Sequence, residues 1–248
     1  DLDIKKVAEQ EGVILVHGGG KEVTKVTEQL GKEPKFVVSP SGIKSRYTDK
    51  ETSEIFTMVM SGRINKAIVQ MLQKNGINAV GLSGMDGKTI EANRKKKLMI
   101  MNEKGRKQVI DGGYTGKISN VNSELIRTIM DKGYTPVISP IAISEESEFL
   151  NVDGDRAAAN VAGHVNSDKV LFITNVDGLL MEDKLVEKLS LDEAKEIMPK
   201  IGFGMEKKIL AATEALEMGV SEALIANGQR ENPISSAIEH NKCTVISK

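Results

Sequence analysis

The chain has 248 residues, which is long enough for one large α/β domain or for two lobes. Its 34 lysine and arginine residues balance 35 aspartate and glutamate residues, and this excludes a protein that binds nucleic acid through a generally basic surface. A single cysteine, Cys243, excludes an intramolecular disulfide, and the scattered His17, His164 and His240 do not predict a zinc site.

The sequence contains no long uncharged apolar run and no signal-peptide pattern. We therefore expect a soluble, cytoplasmic protein without a membrane anchor. Aromatic residues are scarce and tryptophan is absent, so stacking on nucleic-acid bases is not expected either. We also expect a homo-oligomer, of a size that the sequence does not define.

The first strong signal along the chain is a short apolar run, Val13–Val16, that leads into Gly18, Gly19 and Gly20. The residues before it, 1–11, are polar and predicted to be helical, and apolar residues at helical spacing follow from Lys21 to Leu30. A glycine turn between a strand and a helix lets a ligand approach the backbone at the positive end of the helix dipole. The pattern indicates an anion site, with a purely structural corner as the alternative.

The next hundred residues change character several times. Residues 31–50 contain too many breakers for a regular element and are predicted to be a loop, either a lid or a substrate loop. A long helix is predicted to begin at Thr48, to be interrupted at Ser61-Gly62 by a kink, and to end at Asn75-Gly76. From Ile77 to Ile110 the pattern predicts strands and hairpins joined by charged turns.

Helices and strands alternate over the rest of the chain. Helices are predicted at 122–132, 155–164, 192–198, 205–218 and 233–240, and strands at 136–143, 169–176, 223–226 and 244–247. This order predicts an α/β protein, a three-layer αβα sandwich around a mostly parallel sheet with added antiparallel hairpins. If two lobes exist, we expect them at 1–165, for an amino-acid substrate, and at 166–248, for a nucleotide.

Three glycine-containing loops lie where ligands bind open α/β sheets, beyond the carboxyl ends of strands. Asn151–Asp155 places carboxylates and an amide before a helix, where Asp155 is either an N-cap or a ligand-holding group. Thr174–Leu180 offers polar groups beside a glycine, which suits a ribose or an adenine edge, with a plain turn as the alternative. Gly202–Lys208 places lysines in the first turn of a helix, where cations are unfavourable, which indicates that an anion binds there.

Arg46, in a loop, is a candidate to bind a carboxylate, although a solvated arginine is the simpler interpretation. These loops come without a Ser/His/Asp constellation or a metal cluster in the sequence. Such a set favours chemistry by charge neutralisation, of which phosphoryl transfer is the main case. The P-loop and protein-kinase signatures are absent from the sequence.

Four segments together resemble the amino acid kinase family, in its acetylglutamate kinase branch: residues 16–20, 151–155, 175–180 and 204–212. Their order and spacing agree over essentially the whole chain. Three further segments, residues 41–49, 113–118 and 231–234, are similar to the branch members that act on α-aminoadipate or glutamate carried on the acidic protein LysW. The resemblance implies the amino acid kinase fold and ATP-dependent phosphorylation of a side-chain carboxylate to an acyl phosphate, in lysine or arginine biosynthesis.

The resemblance also implies roles for individual residues. Gly19 and Gly20 would hold the substrate end and the transferred phosphoryl group, Arg46 the substrate α-carboxylate, and Asn151 the substrate. Asp155 would orient the catalytic lysines, of which Lys208 would stabilise the transition state. The nucleotide site would be lined by Asn175, Val176, Asp177, Gly178, Leu179, Leu180, Ile201 and Gly202. Mg²⁺ would arrive with ATP, with no metal site in the protein itself.

The sequence departs from the family pattern at its beginning. Family members start with a strand that ends in Lys-x-Gly-Gly, and nothing before Glu11 matches it. We expect a truncated sequence, with real loss of this catalytic lysine as the alternative. Two other functions stay open: acetylglutamate kinase proper, and a nucleotide-binding pseudokinase.

Cations are concentrated in one region of this otherwise neutral chain, at Arg94–Lys97, Lys104–Lys107 and Lys117. Without the resemblance, the favoured interpretation is a solvated hairpin edge protected from aggregation by lysines. With it, these hairpins become the predicted docking surface for acidic LysW.

Overall fold

The computed structural model describes residues 2–202 and 204–248. Asp1, in the lead-in, and Phe203, in the segment Gly202–Lys208, lie outside the described residues. The described chain forms the helices α1 Leu2–Gln10, α2 Gly20–Gln29, α3 Lys50–Thr57, α4 Asn65–Lys74, α5 Ser123–Asp131, α6 Gly154–His164, α7 Leu191–Ile197, α8 Met205–Glu217 and α9 Pro233–Ile238. A π-helix spans Met58–Ile64, and 3₁₀ turns lie at Asp86–Lys88 and Met198–Lys200.

The strands are short, as expected for a sheet protein with frequent turns. They are β1 Leu15–Val16, β2 Phe36–Val38, β3 Lys44–Arg46, β4 Ala79–Ser83, β5 Ile90–Arg94, β6 Lys97–Met101, β7 Lys107–Asp111, β8 Gly116–Val121, β9 Thr135–Ser139, β10 Ile141–Ile143, β11 Phe149–Asn151, β12 Lys169–Thr174, β13 Leu180–Met181, β14 Lys184–Leu185, β15 Lys188–Ser190, β16 Glu222–Asn227 and β17 Thr244–Ser247.

Three sheets organise these strands. One has the order β1-β9-β4 and is parallel throughout. A second, β11-β10-β5-β8, is antiparallel except where β10 runs parallel to β5. The third, β12-β16-β17-β15, pairs β12 with β16 and β15 with β17 in parallel. The hairpins β2–β3, β6–β7 and β13–β14 complete the set. The prediction of an α/β protein with parallel strands and antiparallel hairpins is confirmed.

Helix α6 connects two parts of the hydrophobic core. Ala157 and Val161 pack in a cluster with residues of β5, β8 and β9. Ala159 and Ala162 pack in another cluster with α8, β12 and β16. Small side chains on α6 allow both approaches. The lobe boundary that we expect at residues 165–169 lies directly after this shared helix and stays a prediction.

Three expected elements differ in the structure. The predicted kink at Ser61-Gly62 is a π-helix, so α3 and α4 continue through it with helical backbone angles at both junctions. The predicted strand 136–143 is divided at Pro140, whose nitrogen cannot donate to a ladder. The predicted loop 31–50 contains the hairpin β2–β3. Among the described residues, no helix is long and apolar enough to cross a membrane.

Candidate active site

A cleft of about 1080 Å³ opens where the glycine loop, the hairpin β2–β3, the ladder β5–β8 and the starts of α6 and α8 meet. It is lined by residues that include Gly18, Gly19, Gly20, Thr24, Phe36, Lys44, Arg46, Lys95, Thr115, Lys117, Asn151, Asp153, Gly154, Arg156 and Lys207. The segments of Gly19–Gly20, Arg46 and residues 151–154 therefore meet in one cavity. Lys95 and Lys117 of the basic segments and residues of α8 also line it.

The glycine loop forms one wall of the cleft. A Cβ at Gly19 would lie 2.2 Å from Cδ1 of Ile64 and 2.7 Å from Sδ of Met60, so a larger residue would require these two side chains to move. Gly20 begins α2, and no side chain of the described residues caps this helix end. The first amides of α2 are therefore available to an anion, as the sequence predicted.

His17 supports the glycine loop, residues 18–20, from the protein interior. It is buried, its Nδ1 lies 3.0 Å from the Gly18 carbonyl oxygen, and its Nε2 lies 3.3 Å from Nδ2 of Asn65. Burial lowers the pKa of His17, which favours a neutral ring that donates from Nδ1 and accepts at Nε2. This histidine positions the backbone of the glycine loop, a role that the sequence did not reveal.

The second glycine-containing loop faces the first. A Cβ at Gly154 would lie 3.9 Å from Cα of Gly18 and 3.8 Å from the His17 carbonyl oxygen. The N-cap of α6 is Asp153, whose Oδ1 accepts from the amides of Asp155 and Arg156. The interpretation of Asp155 as the N-cap is therefore wrong: Asp155 lies inside the first turn, and its side chain is free for another partner.

That partner is Lys208. Its Nζ donates to Oδ1 of Asp155 at 2.8 Å and to Oδ2 at 3.1 Å, and both side chains are mostly buried. Lys207 points elsewhere: its Nζ donates to the Lys44 carbonyl oxygen at 3.1 Å and lies 3.7 Å from Oδ2 of Asp153. The two lysines thus separate, one toward α6 and one toward the hairpin β2–β3.

Arg46 is held against the glycine loop. Its Nη2 donates to the Gly20 carbonyl oxygen at 2.9 Å and to Oγ1 of Thr24 at 2.7 Å, and the guanidinium lies 4.9 Å from the ring centre of Phe36. Its buried Nη1 has no hydrogen-bond partner among the described residues. Burial lowers the pKa of Arg46 from its very high ordinary value. A fixed guanidinium with one unsatisfied nitrogen in a cleft is suited to an incoming carboxylate.

Asn151 is fixed on the opposite side of the cleft. Its Nδ2 donates to Oγ1 of Thr48 at 3.0 Å, and its amide donates to the Tyr114 carbonyl oxygen at 2.9 Å. Within the described residues, this hydrogen bond uses Nδ2 and leaves Oδ1 of Asn151 without a side-chain partner. The residue is therefore oriented before a ligand arrives.

The segment 175–180 forms a separate polar cluster beyond β12 and β16. Oδ1 of Asp177 accepts from Nδ2 of Asn227 at 2.9 Å, and Oδ2 pairs with Arg230 at 2.5 Å. The hydrogen bond from Asn227 is the main cause that lowers the pKa of Asp177. A Cβ at Gly178 would lie 2.5 Å from Oγ1 of Thr244.

These residues do not line the cleft described above, and neither do Ile201 and Gly202. Leu179 is buried in the core, and its amide donates to Oγ1 of Thr244, whereas Leu180 is exposed. The side chain and the amide of Leu179 are both engaged within the protein, and its role in a nucleotide site stays a prediction.

The basic residues do not form one surface. Arg94 pairs with Glu148 at 2.6 Å and stacks 4.1 Å from the ring centre of Tyr114, so it belongs to the fold. Lys95 and Lys117 line the cleft. The remainder are exposed on the hairpin β6–β7 and its approach, and we call them the outer hairpin patch: Lys96, Lys97, Lys104, Arg106 and Lys107.

Comparison with known proteins identifies the chain. The model of the amino acid kinase family matches residues 2–227. The chain belongs to the amino acid kinase family. This member is 82% identical over 244 residues to a putative LysW-aminoadipate/LysW-glutamate kinase of Nitrosopumilus maritimus, covering 98% of the chain and 91% of the relative. It is 48% identical over 235 residues to the LysW-aminoadipate/LysW-glutamate kinase of Sulfolobus acidocaldarius, covering 94% of the chain and 89% of the relative.

Solved structures agree with the fold of this amino acid kinase. N-acetylglutamate synthase from Neisseria gonorrhoeae superimposes with a TM-score of 0.78 at 22% identity, over 99% of this chain and 54% of that one. Carbamate kinase from Giardia superimposes with a TM-score of 0.66 at 16% identity, over 99% of this chain and 87% of that one. The expected amino acid kinase fold is confirmed. The expected phosphotransferase class is confirmed by the family match and by the relatives named as kinases.

Several residues of the site escaped the sequence analysis. Thr115, Arg156 and Glu214 all line the cleft, and Arg156 pairs with Glu214 through Nε at 2.9 Å and Nη2 at 2.5 Å. No local pattern marks a pair that is 58 residues apart in sequence. Thr115 lies in the segment 113–118, in which the sequence analysis assigned a role only to Lys117.

Proposed function

We propose that this amino acid kinase phosphorylates the side-chain carboxylate of α-aminoadipate or glutamate carried on LysW, using ATP. The proposal is supported by the names of the relatives at 82% and 48% identity. The geometric observation that carries it is the Lys208–Asp155 ion pair, which lies beside the loop of Asp153 and Gly154 that faces the glycine loop.

The chemistry follows from where charge develops. In phosphoryl transfer, negative charge spreads over the oxygens of the transferred group and of the leaving phosphate. We assign Lys208 to stabilise that charge, and Asp155 to hold its ammonium group in position. The amides after Gly19 and Gly20, at the start of α2, would hold the reacting carboxylate and the phosphoryl group.

We assign Arg46 to the α-carboxylate of the acceptor, because its Nη1 is buried in the cleft and unsatisfied within the described chain. Asn151 would contact the acceptor through its amide oxygen, because its Nδ2 already donates to Thr48. For the nucleotide, we assign Asn175, Val176, Asp177, Gly178, Leu180, Ile201 and Gly202.

Mg²⁺ would neutralise phosphate charge in this reaction. Within the described residues, no three His, Cys, Asp or Glu side chains come together to hold a metal ion. The nearest carboxylate to Lys208, that of Asp155, is already paired. These residues fit an ion that is carried by the phosphates of ATP, and not one held in a protein cage.

Docking of the carrier protein is assigned to the outer hairpin patch. All five of its cations are exposed, and none is paired with a described carboxylate. A basic surface beside the cleft would attract an acidic carrier and orient it. The same five residues would otherwise be only a charged hairpin edge.

The direct test is to trap the acyl phosphate with hydroxylamine. The protein from its complete gene is incubated with Mg²⁺-ATP and one acceptor: LysW-linked aminoadipate, LysW-linked glutamate or N-acetylglutamate. We expect hydroxamate from a LysW-linked acceptor. Hydroxamate from N-acetylglutamate alone would make the protein an acetylglutamate kinase, and ATP binding without any hydroxamate would make it a pseudokinase.

A further inference from the structure

One wall of the cleft is built by the ladder between β5 and β8. Asn93 lies opposite Lys117, and Arg94 lies opposite Gly116. The Lys95 amide donates to the Thr115 carbonyl oxygen at 2.9 Å, which extends the pairing by one residue. Because side chains alternate between the two faces of a strand, Lys95, Thr115 and Lys117 lie on the same face. All three line the cleft.

The two lysines on this face lack an anionic partner. As diagonal neighbours on a ladder, they lie close enough to repel each other. Neither forms an ion pair with a described carboxylate, and the acids nearby are engaged: Glu214 pairs with Arg156, and Asp153 caps α6. Partial burial lowers the pKa of Lys95, and the positive charges of Arg156 and Lys117 lower it further against the opposing effect of Asp153. An anion on this wall would relieve the repulsion.

The threonine between them is also unsatisfied. Oγ1 of Thr115 is buried and has no hydrogen-bond partner among the described residues. A buried hydroxyl without a partner destabilises the protein, and it becomes favourable when a ligand accepts its hydrogen. Two cations and one hydroxyl donor on a single face form a set of donors typical of a carboxylate site.

This wall is distinct from the one that carries Arg46. Arg46 is hydrogen-bonded to Gly20 and Thr24 of the wall that contains the glycine loop. The wall formed by β5 and β8 is connected instead to Asn151, through a parallel β-bridge from Thr115. An acceptor that fills both walls needs a carboxylate at each, in addition to the one that is phosphorylated. Since the amine of the acceptor is blocked, the extra carboxylate has to belong to the blocking group.

We propose that Lys95, Thr115 and Lys117 form a carboxylate subsite for the blocking group of the acceptor. The subsite selects acceptors whose amine is blocked by an acidic group, such as an acidic peptide, over acceptors blocked by a neutral acyl group. It rests on the proposed function for the identity of the acceptor. An acetyl group has no charge to place between the two lysines, so the subsite separates the carrier-dependent reaction from that of an acetylglutamate kinase.

The test compares two small acceptors of equal length, N-glutaryl-aminoadipate and N-pentanoyl-aminoadipate. They differ only in the terminal carboxylate of the glutaryl group. Binding to the protein from its complete gene is measured by calorimetry with a non-hydrolysable ATP analogue present. We expect the glutaryl compound to bind at least about tenfold more tightly, the usual effect of a hydrogen-bonded charge pair.

The double variant Lys95→Met, Lys117→Met should bring the affinity ratio of the two compounds close to one. Thr115→Val should lower the ratio by a smaller factor, because it removes one donor and keeps the shape. Lys132→Met, an exposed lysine at the end of α5, is the control and should keep the wild-type ratio.

Equal affinities of the two compounds in the wild-type protein would overturn the subsite, as would failure of the glutaryl compound to bind. An equal loss of affinity for both compounds in the double variant would also overturn it. These outcomes concern binding alone. The proposed function fails by a different result, the absence of acyl phosphate from LysW-linked acceptors, so the two failures can be told apart.

Discussion

Nζ of Lys208 lies 2.8 Å and 3.1 Å from the two carboxylate oxygens of Asp155, so one ion pair joins the first turns of α8 and α6. A lysine in the first turn of a helix opposes the helix dipole. The carboxylate of Asp155 offsets part of this cost, and an anionic ligand would offset the rest. The pair therefore fixes the Lys208 ammonium group beside the cleft, where an anionic ligand would bind.

We expect Lys208→Met to lower kcat about a hundred- to a thousandfold with little change in the melting temperature, because it removes one stabiliser of transition-state charge. Steady-state kinetics with a LysW-linked acceptor measure this loss. Lys207→Met is the matched control and should cost much less turnover. If Lys207→Met proved the more damaging change, the catalytic role would pass to Lys207.

Arg46→Lys should raise KM for the acceptor roughly ten- to hundredfold while kcat falls much less. Nη2 of Arg46 donates to the Gly20 carbonyl oxygen and to Thr24. A guanidinium still has a second terminal nitrogen for the ligand, and the single amine of lysine does not. A lysine can make one set of contacts but not both. An unchanged KM for the acceptor would show that this loop does not bind it.

Reversing three charges of the outer hairpin patch, Lys96→Glu, Lys97→Glu and Lys104→Glu, should slow association with LysW roughly tenfold at low salt. Stopped-flow kinetics at two salt concentrations measure this effect, which high salt should reduce. Lys95 is left intact because it lines the cleft.

The matched control for this variant reverses three exposed lysines elsewhere, Lys74, Lys132 and Lys188. Both variants change the net charge equally. The same loss of association rate in the control would indicate that overall charge matters and that the hairpin is not the docking surface.

Asp3→Ala should lower the free energy of unfolding by roughly 1–3 kcal/mol. Asp3 is buried and accepts from the amides of Ile234 and Ser235 and from the Ser235 hydroxyl, at the start of α9, where Asn232 gives no side-chain cap. Urea unfolding measures the change. Glu9→Ala, on the exposed side of α1, should stay near the wild type, and an equal effect of both changes would refute this contact as the cause.

The stability of the protein should depend on Glu222 in acid. The hydrogen bond from Lys169 is the main cause that lowers the pKa of Glu222, and His240 adds to it. A lowered folded-state pKa means stabilisation that is present above the unfolded value of about 4.3 and is lost as the pH falls through the folded value. Glu222→Gln should therefore flatten the loss of stability below about pH 4.5, and an unchanged pH profile would contradict this.

The sequence by itself determined the local units of the site. A buried strand that ends in three glycines before an amphipathic helix, and a glycine before two lysines at a helix start, are signals within about ten residues of chain. They predict an anion site at the glycine loop and a role for Lys208, and both stay predictions. The α/β class followed in the same way, because hydrophobic periodicity depends only on the residues of one element.

No local pattern predicts which groups meet, and the approach of Asp155 to a lysine was implied only by the family resemblance. Asp153 and not Asp155 caps α6, and this leaves Asp155 for Lys208, 53 residues further along the chain. Lys95 enters the cleft while its neighbour Lys96 stays exposed, because the ladder with β8 fixes which face each side chain takes. The local helix-capping and strand propensities do not distinguish Asp153 from Asp155 as the cap, or Lys95 from Lys96 as the residue that enters the cleft. Only the register of the sheet and the packing of α6 on α8 select one of them.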